Sequence, residues 1–414
     1  VDVLAPRHTA ERITTDHGAI AAAERLATEF AEGAAERDQD RVLPVAEIEA
    51  FSRSGLWGIT IPAQHGGADV SAVTLARVIA IVSAADPSIG QIPQNHFATL
   101  ERLRLHGDEE QKRFFFAEVL AGARLGNAAS EPGDRPPGSH ATRLRRTVGG
   151  YVLSGKKVYC TGALFAHWVT VSCVDEQGSP WTAYVRRGAD GLCVMDDWSG
   201  FGQRTTASGT VILSDVFVSE GHAVRTRFKG PSRDSAAPVT HIIHAAIDLG
   251  IAQEALTDAV RFLRTLSHPA RGSGVERATE DPLTLQDIGS LTVQLHAAEL
   301  LVERAGRLTD RARTTGATGD AVRALVAVTE SKIATTDVSL AAASKLFELA
   351  GTQSTLTTHS LDRHWRNART HTLHDGVRWK YHAIGNYVLN GRVADSWTLG
   401  HPYSELQPEE PPHA

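Results

Sequence analysis

Arg366-Asn367-Ala368-Arg369-Thr370-His371-Thr372-Leu373-His374-Asp375-Gly376 is the stretch on which the reading of this chain turns. His371 precedes His374 by three residues and shares its face if the stretch is helical. A neutral imidazole with a pKa near the working pH can donate a hydrogen bond and then shuttle a proton, so His374 leads the catalytic candidates. Asp375 either orients that ring or caps a helix expected from Gly376. A His371–His374 metal pair has no carboxylate or cysteine at ligand spacing, and His241 with His244 is read the same way. No metal is expected.

The 414 residues are too many for one simple core and suggest two or three domains. A chain that is 42% hydrophobic and 22% charged has an ordinary soluble composition. Its formal charge of −6 gives no overall attraction to nucleic acid or membrane. No apolar run approaches the ~18 residues of a membrane span. Cys160, Cys173 and Cys193 form no CxxC pair, and such a sparse, odd set reads as reduced thiols in a cytoplasmic protein. Residues 1–12 carry no signal-peptide core.

Outward from the opening stretch, the hydrophobic period divides the chain. Residues 1–124 read as an N-terminal helical domain: Leu75, Val78, Ile79 and Val82 recur at helical steps. Asp86 before Pro87 and Asp108 before Glu109 are expected helix starts. Residues 125–235 read as a central antiparallel β domain, with β-branched runs such as Trp168-Val169-Thr170-Val171 separated by glycines. Residues 236–395 return to helices, expected near 241–266, 283–314, 320–350 and 376–390, as a four-helix bundle. Residues 396–414 are a Pro-rich loose tail. The fold class is α+β.

Local motifs sharpen that order. Leu56-Trp57-Gly58-Ile59-Thr60-Ile61-Pro62-Ala63-Gln64-His65-Gly66-Gly67 resembles a turn of the acyl-CoA dehydrogenase superfamily. Asn127-Ala128-Ala129-Ser130-Glu131, Tyr159-Cys160-Thr161-Gly162-Ala163 and Asp197-Trp198-Ser199-Gly200-Phe201-Gly202 follow in matching order. The opening stretch resembles that superfamily's active-site turn, where Tyr-Glu-Gly carries the catalytic base. His374-Asp375-Gly376 shortens the carboxylate arm and replaces the phenol with an imidazole. The whole, from about residue 20 to 392, resembles the flavin-dependent monooxygenase branch typified by dibenzothiophene monooxygenase. It is most similar to the sulfur-acquisition oxidoreductases of the SfnB family.

The resemblance implies an acyl-CoA dehydrogenase-like fold and a homotetramer. It also implies reduced FMN, rather than FAD, supplied by a separate NAD(P)H-dependent flavin reductase. A flavin C4a-hydroperoxide formed from O₂ would oxygenate a small organosulfur compound or an amine, while the protein excludes water. His96 would face the flavin, or else end a helix. Asn127 and Ser130 would bond the isoalloxazine edge, or form local turns. Thr161 matches a flavin-contacting hydroxyl. Trp198 would cover the pocket, and Ser208 would bond flavin or shape a turn. Arg369 and His374 complete the cofactor set, and His96, Asn127, Thr161 and His374 the catalytic one. Phe97, Phe165, Trp198 and Trp379 are the substrate candidates.

His268 and Gln353 stand where the resemblance expects phosphate-binding arginines. Neither offers a permanent charge in a fixed fork of donors; Arg271, Arg277 or a neighbouring subunit would have to compensate. Two further functions stay open. One is an FAD-dependent acyl-CoA dehydrogenase with Asp375 as base; the other is a flavin-free, ligand-binding or non-redox derivative of the fold.

Overall fold

A computed structural model describes residues 10–133, 140–226, 235–269 and 272–393. Residues 134–139 and 227–234, Arg271 and the expected tail at 396–414 lie outside these residues. Seven helices open the chain: α1 (Asp16–Ala31), α2 (Ala34–Asp40), α3 (Val45–Arg53), α4 (Ala72–Ala85), α5 (Pro87–Gln91), α6 (Gln94–His106) and α7 (Glu109–Leu120). Local chemistry starts them. Asp86 accepts from the backbone N–H groups of Ser88 and Ile89, and Asp108 closes a capping box with Gln111.

Eight strands follow: β1 (Leu125–Ala128), β2 (Arg143–Thr147), β3 (Gly150–Lys157), β4 (Trp168–Val174), β5 (Pro180–Arg186), β6 (Leu192–Val194), β7 (Val211–Ser219) and β8 (Ala223–Arg225). They form one sheet in the order β6-β7-β3-β2-β4-β5-β8, with β1 also beside β4. The sheet is mixed, which corrects the antiparallel expectation. β1 pairs with β4 in parallel, Leu125 opposite Trp168, and β2 meets β4 in parallel at Arg143. The intervening β2–β3 hairpin is the crossover that returns β4 in the direction of β1. β4 is buried along nearly its whole length, and Cys160 and Cys173 lie in the sheet's own core. Burial pushes both thiols up to about 12, so they are unreactive.

Five helices close the fold: α8 (Ala236–Thr265), α9 (Pro282–Thr315), α10 (Thr318–Ala350), α11 (Asp362–Thr372) and α12 (Val377–Asn390). α8 and α10 run side by side in one direction, since Ala259 and Phe262 pack with Leu346 and Ala350 near their C-terminal ends. The main core joins α4 and α6 to α8, α9 and α10. α11 escapes the expected helix set because it has no apolar stripe. Its buried side is largely polar, with His364, Asn367 and His371 enclosed. Among the described residues no helix is long and apolar enough to cross a membrane.

Candidate active site

α11 is the element on which the site is assembled. Asn367, His371 and His374 follow at four- and three-residue steps, so the helix and the turn after it present them along one side. The β6–β7 loop lies directly on this helix. Asn367 Oδ1 accepts from the Gln203 backbone N–H at 2.6 Å, and Arg366 donates to the Phe201 carbonyl at 3.1 Å. Only glycine fits at 202, where a Cβ would stand 1.9 Å from the Arg366 carbonyl oxygen.

That loop is strained. Gln203 (φ 52°) and Ala207 (φ 48°), with Tyr159 (φ 55°) across from them, are three of the seven described non-glycine residues at positive φ. Such conformations cost about 1–3 kcal/mol each and gather at functional sites.

A chain of hydroxyls runs through the strained segment. Thr206 donates to the Gln203 carbonyl at 2.9 Å, which uses its only proton. Ser208 must then donate to Thr206 at 2.7 Å, and Thr161 to Ser208 at 2.7 Å. Thr161 is left as an acceptor. Trp198 Nε1 donates to the same Gln203 carbonyl at 2.8 Å, and its ring meets Tyr159 edge-on at 6.2 Å. Asn127 donates to the Tyr159 carbonyl at 3.3 Å. The Gln203 side chain is buried, yet neither its amide oxygen nor its nitrogen has a hydrogen-bond partner among the described residues. Left unmade, those bonds cost about 1–3 kcal/mol.

Further along the same side of α11 lies a histidine–carboxylate–lysine array. His371 Nδ1 donates to Asp248 Oδ1 at 2.5 Å, while Lys332 and Thr336 bond the other carboxylate oxygen, Thr336 at 3.0 Å. His371 Nε2 and His244 Nδ1 lie 3.1 Å apart, and the His244 ring stacks on His374 at 4.2 Å. Burial alone would raise the Asp248 pKa, but the Lys332 ammonium and His371 outweigh it and hold the carboxyl below its usual range. Burial, then the neighbouring His374 and His371, push His244 well below the ordinary imidazole value. His374 keeps part of its surface open to water. The protein around it, and next His371, lower its pKa to about 4, below the near-neutral value expected from the sequence, so the ring is neutral at pH 7.

Asp375 does not cap α12, whose N-cap is Gly376 without a side-chain bond. Nor does it orient His374. It lies 2.5 Å from Lys380 Nζ and 3.3 Å from His241 Nδ1. These partners outweigh burial and hold the carboxyl well below its usual range.

Several sequence candidates stand elsewhere. His96 is fully enclosed, with both ring nitrogens engaged: Nε2 donates to the Trp57 carbonyl at 2.9 Å, and Nδ1 accepts from the Leu125 N–H at 3.0 Å. It is a pin between α6 and β1, and burial lowers its pKa to about 3. Phe97 and Phe165 belong to the main core. Trp379 is exposed on α12 against His382. Ser130 is exposed, and its carbonyl accepts from Val158 N–H. His268 and Gln353 are both exposed beyond the C-terminal ends of α8 and α10, at one end of the bundle, and Arg369 is half-buried. Sequence reasoning missed Gln203, Asp248, Lys332, Thr336 and Lys380. A charged residue inside an apolar run, as in Ala246-Ile247-Asp248-Leu249, was the available signal.

The N-terminal domain model of the acyl-CoA dehydrogenases matches residues 17–123, and their C-terminal domain model residues 242–379. Dibenzothiophene monooxygenase of Rhodococcus qingshengii is 31% identical over 405 residues, covering 93% of this chain and 96% of that one. This chain belongs to the acyl-CoA dehydrogenase superfamily. Within the superfamily, a probable FMNH2-dependent monooxygenase of Pseudomonas putida, SfnC, is also 31% identical, over 92% of this chain and 96% of its own. The crystal structure of FMN-bound TdsC from Paenibacillus sp. A11-2 superposes with a TM-score of 0.87 at 30% identity, over 91% of this chain and 98% of that one. The superfamily's usual Tyr-Glu-Gly reads His374-Asp375-Gly376 here, so both the open imidazole and the tied carboxylate are departures from the dehydrogenase pattern.

Proposed function

We propose that this chain is a reduced-FMN-dependent monooxygenase that oxygenates the sulfur of a small organosulfur compound. The observation that carries the reading is the contrast between neighbours: Asp375 is tied to Lys380 and His241, while His374 stays neutral and open. A dehydrogenase base must bind a substrate proton at working pH, and a carboxylate held far below its usual pKa is a poor one. That counts against the dehydrogenase alternative. The flavin-free alternative is disfavoured by the Gln203 amide, an unpaired donor and acceptor buried beside a hydroxyl chain. That donor set fits the alternating edge of an isoalloxazine.

Gln203, Thr161, Ser208 and Asn127 would hold that edge, and Trp198 with Tyr159 would cover it. Bound FMNH₂ supplies the two electrons that reduce one atom of O₂ to water as the other is transferred to sulfur. Thr161 accepts a hydrogen bond, because its own proton is committed to Ser208. Neutral His374 donates one N–H and offers one lone pair, which suits it to hydrogen-bond the oxygen being transferred. The enclosed side of α11 keeps bulk water away.

A separate NAD(P)H-dependent reductase supplies the reduced flavin, as the similarity to an FMNH2-dependent relative supports. The assembly is a homotetramer: Leu283, Leu285, Val293 and Leu300 on α9, with Val388 and Leu389 on α12, leave apolar faces exposed on one chain. Three free cysteines fit a reducing cytoplasm.

The test is turnover with a flavin reductase, NADH and O₂ against sulfides, sulfinates and sulfones, following oxygenated product. His374→Ala should lower product formation by roughly 10²–10⁴-fold and divert O₂ to peroxide. Wild-type enzyme that binds FMNH₂ yet oxygenates none of these sulfur compounds would overturn the reading.

A further inference from the structure

Behind His374, the middle of the bundle holds a polar array that the reaction described above leaves unused. Its hydrogen bonds have a definite direction. Asp248, clamped as an anion by Lys332 and Thr336, can only accept from His371, so the His371 proton sits on Nδ1. His371 Nε2 is then a lone pair. The contact with His244 at 3.1 Å requires a proton between the rings, and only His244 Nδ1 can supply it. His244 is therefore an Nδ1–H tautomer. This ring, fixed in plane and proton position, is the one against which His374 stacks at 4.2 Å with 30° between planes.

We propose that Asp248, Lys332 and Thr336 are positioning residues that impose one tautomer on His371 and, through it, on His244, and so fix the surface that orients His374. The proposal rests on the reading of His374 as the hydrogen-bond donor to the oxygen being transferred. The charged and titratable groups facing the pair are Asp248 and His241 on α8, Lys332 on α10, and His374 in the turn after α11. The burial supports fixity: Asp248, Lys332, His244 and His371 are each at most 2% exposed. Nothing in the geometry lets water substitute for a missing partner.

Asp248→Asn makes a sharp prediction. With Lys332 retained, the amide oxygen must face the ammonium, so the amide NH₂ faces His371 and forces its proton to Nε2. His244 then carries its proton on Nε2 as well. The tautomers of both rings invert. Adding Lys332→Met removes the ammonium, lets the amide turn over, and restores acceptance from His371 Nδ1–H.

The experiment has two arms on the full chain. Neutron diffraction from deuterium-exchanged crystals should show deuterium on Nδ1 of His371 and of His244; deuterium on Nε2 of His371 overturns the proposal. Steady-state assay with FMNH₂ and a sulfide should show Asp248→Asn lowering kcat on the order of 10²-fold, with KM and FMN affinity within about twofold of wild type. The double variant Asp248→Asn/Lys332→Met should recover about tenfold of that loss. A folded Asp248→Asn enzyme with unchanged kcat, or a double variant no better than the single one, overturns it. The neutron arm decides the tautomers even if Asp248→Asn does not fold. It also decides them if the wild-type enzyme oxygenates no sulfur compound, an outcome that would sink the functional reading alone.

Discussion

Lys380 Nζ lies 2.5 Å from Asp375 Oδ2, and both side chains are largely enclosed, at 6% and 12% exposure. This pair counts against Asp375 serving as a dehydrogenase base. It takes the carboxylate nearest the catalytic position and spends its basicity on an ammonium and on His241.

Lys380→Met should therefore destabilise the fold by about 3 kcal/mol, because it leaves an enclosed carboxylate with only His241 for company. Urea unfolding at neutral pH measures it. The Asp375 pKa is depressed, so the pair's contribution is complete above the ordinary carboxylate value and fades as pH falls below it. A Lys380→Met protein as stable as wild type at pH 7 would show that the pair contributes little.

Acid sensitivity should come largely from buried histidines. His96 has a folded pKa of about 3, pushed down by burial, against ~6.5 in the unfolded chain. The unfolded chain binds that proton first. Stability is therefore full above pH ~6.5 and declines as pH drops toward the folded value, by about 2 kcal/mol for this ring at pH 5. His96→Gln, whose amide can still reach the Trp57 carbonyl, should show a shallower slope of unfolding free energy between pH 6.5 and 5. An unchanged slope would place the acid sensitivity elsewhere.

Gln203→Met should act with opposite signs on the free and loaded protein. Without flavin, it removes two buried unsatisfied groups and should raise stability by roughly 1 kcal/mol. With FMN present, it should lose about tenfold in affinity, the worth of one or two hydrogen bonds. Calorimetric titration and melting with and without FMN read the two effects. Unaltered FMN affinity would show that this amide serves no flavin.

His268→Arg and Gln353→Arg restore a forked cation at two exposed positions on one end of the bundle. If a flavin phosphate reaches that end, each should tighten FMN binding by roughly 1.5–3 kcal/mol. Their effect on riboflavin, which has no phosphate, should be nil. Equal tightening of riboflavin would point to a general effect.

Residues near one another in the chain carried most of the fold. The Asp108–Gln111 capping box, the Asp86–Pro87 start and the β-branched run of β4 encode their elements in a few consecutive side chains, where capping and periodicity act. The opening stretch also announced its importance, through two histidines that no core requires. What sequence could not supply was the partnership of those histidines. Asp248 and Lys332 are 84 residues apart, on two helices that meet only when the bundle packs. His96 looked as available as His374. The difference lies in the carbonyl of Trp57 and the amide of Leu125, backbone groups that residue identity does not reveal. A ring's chemistry depends on what fills its two nitrogens and on how much water reaches it, and long-range packing sets both.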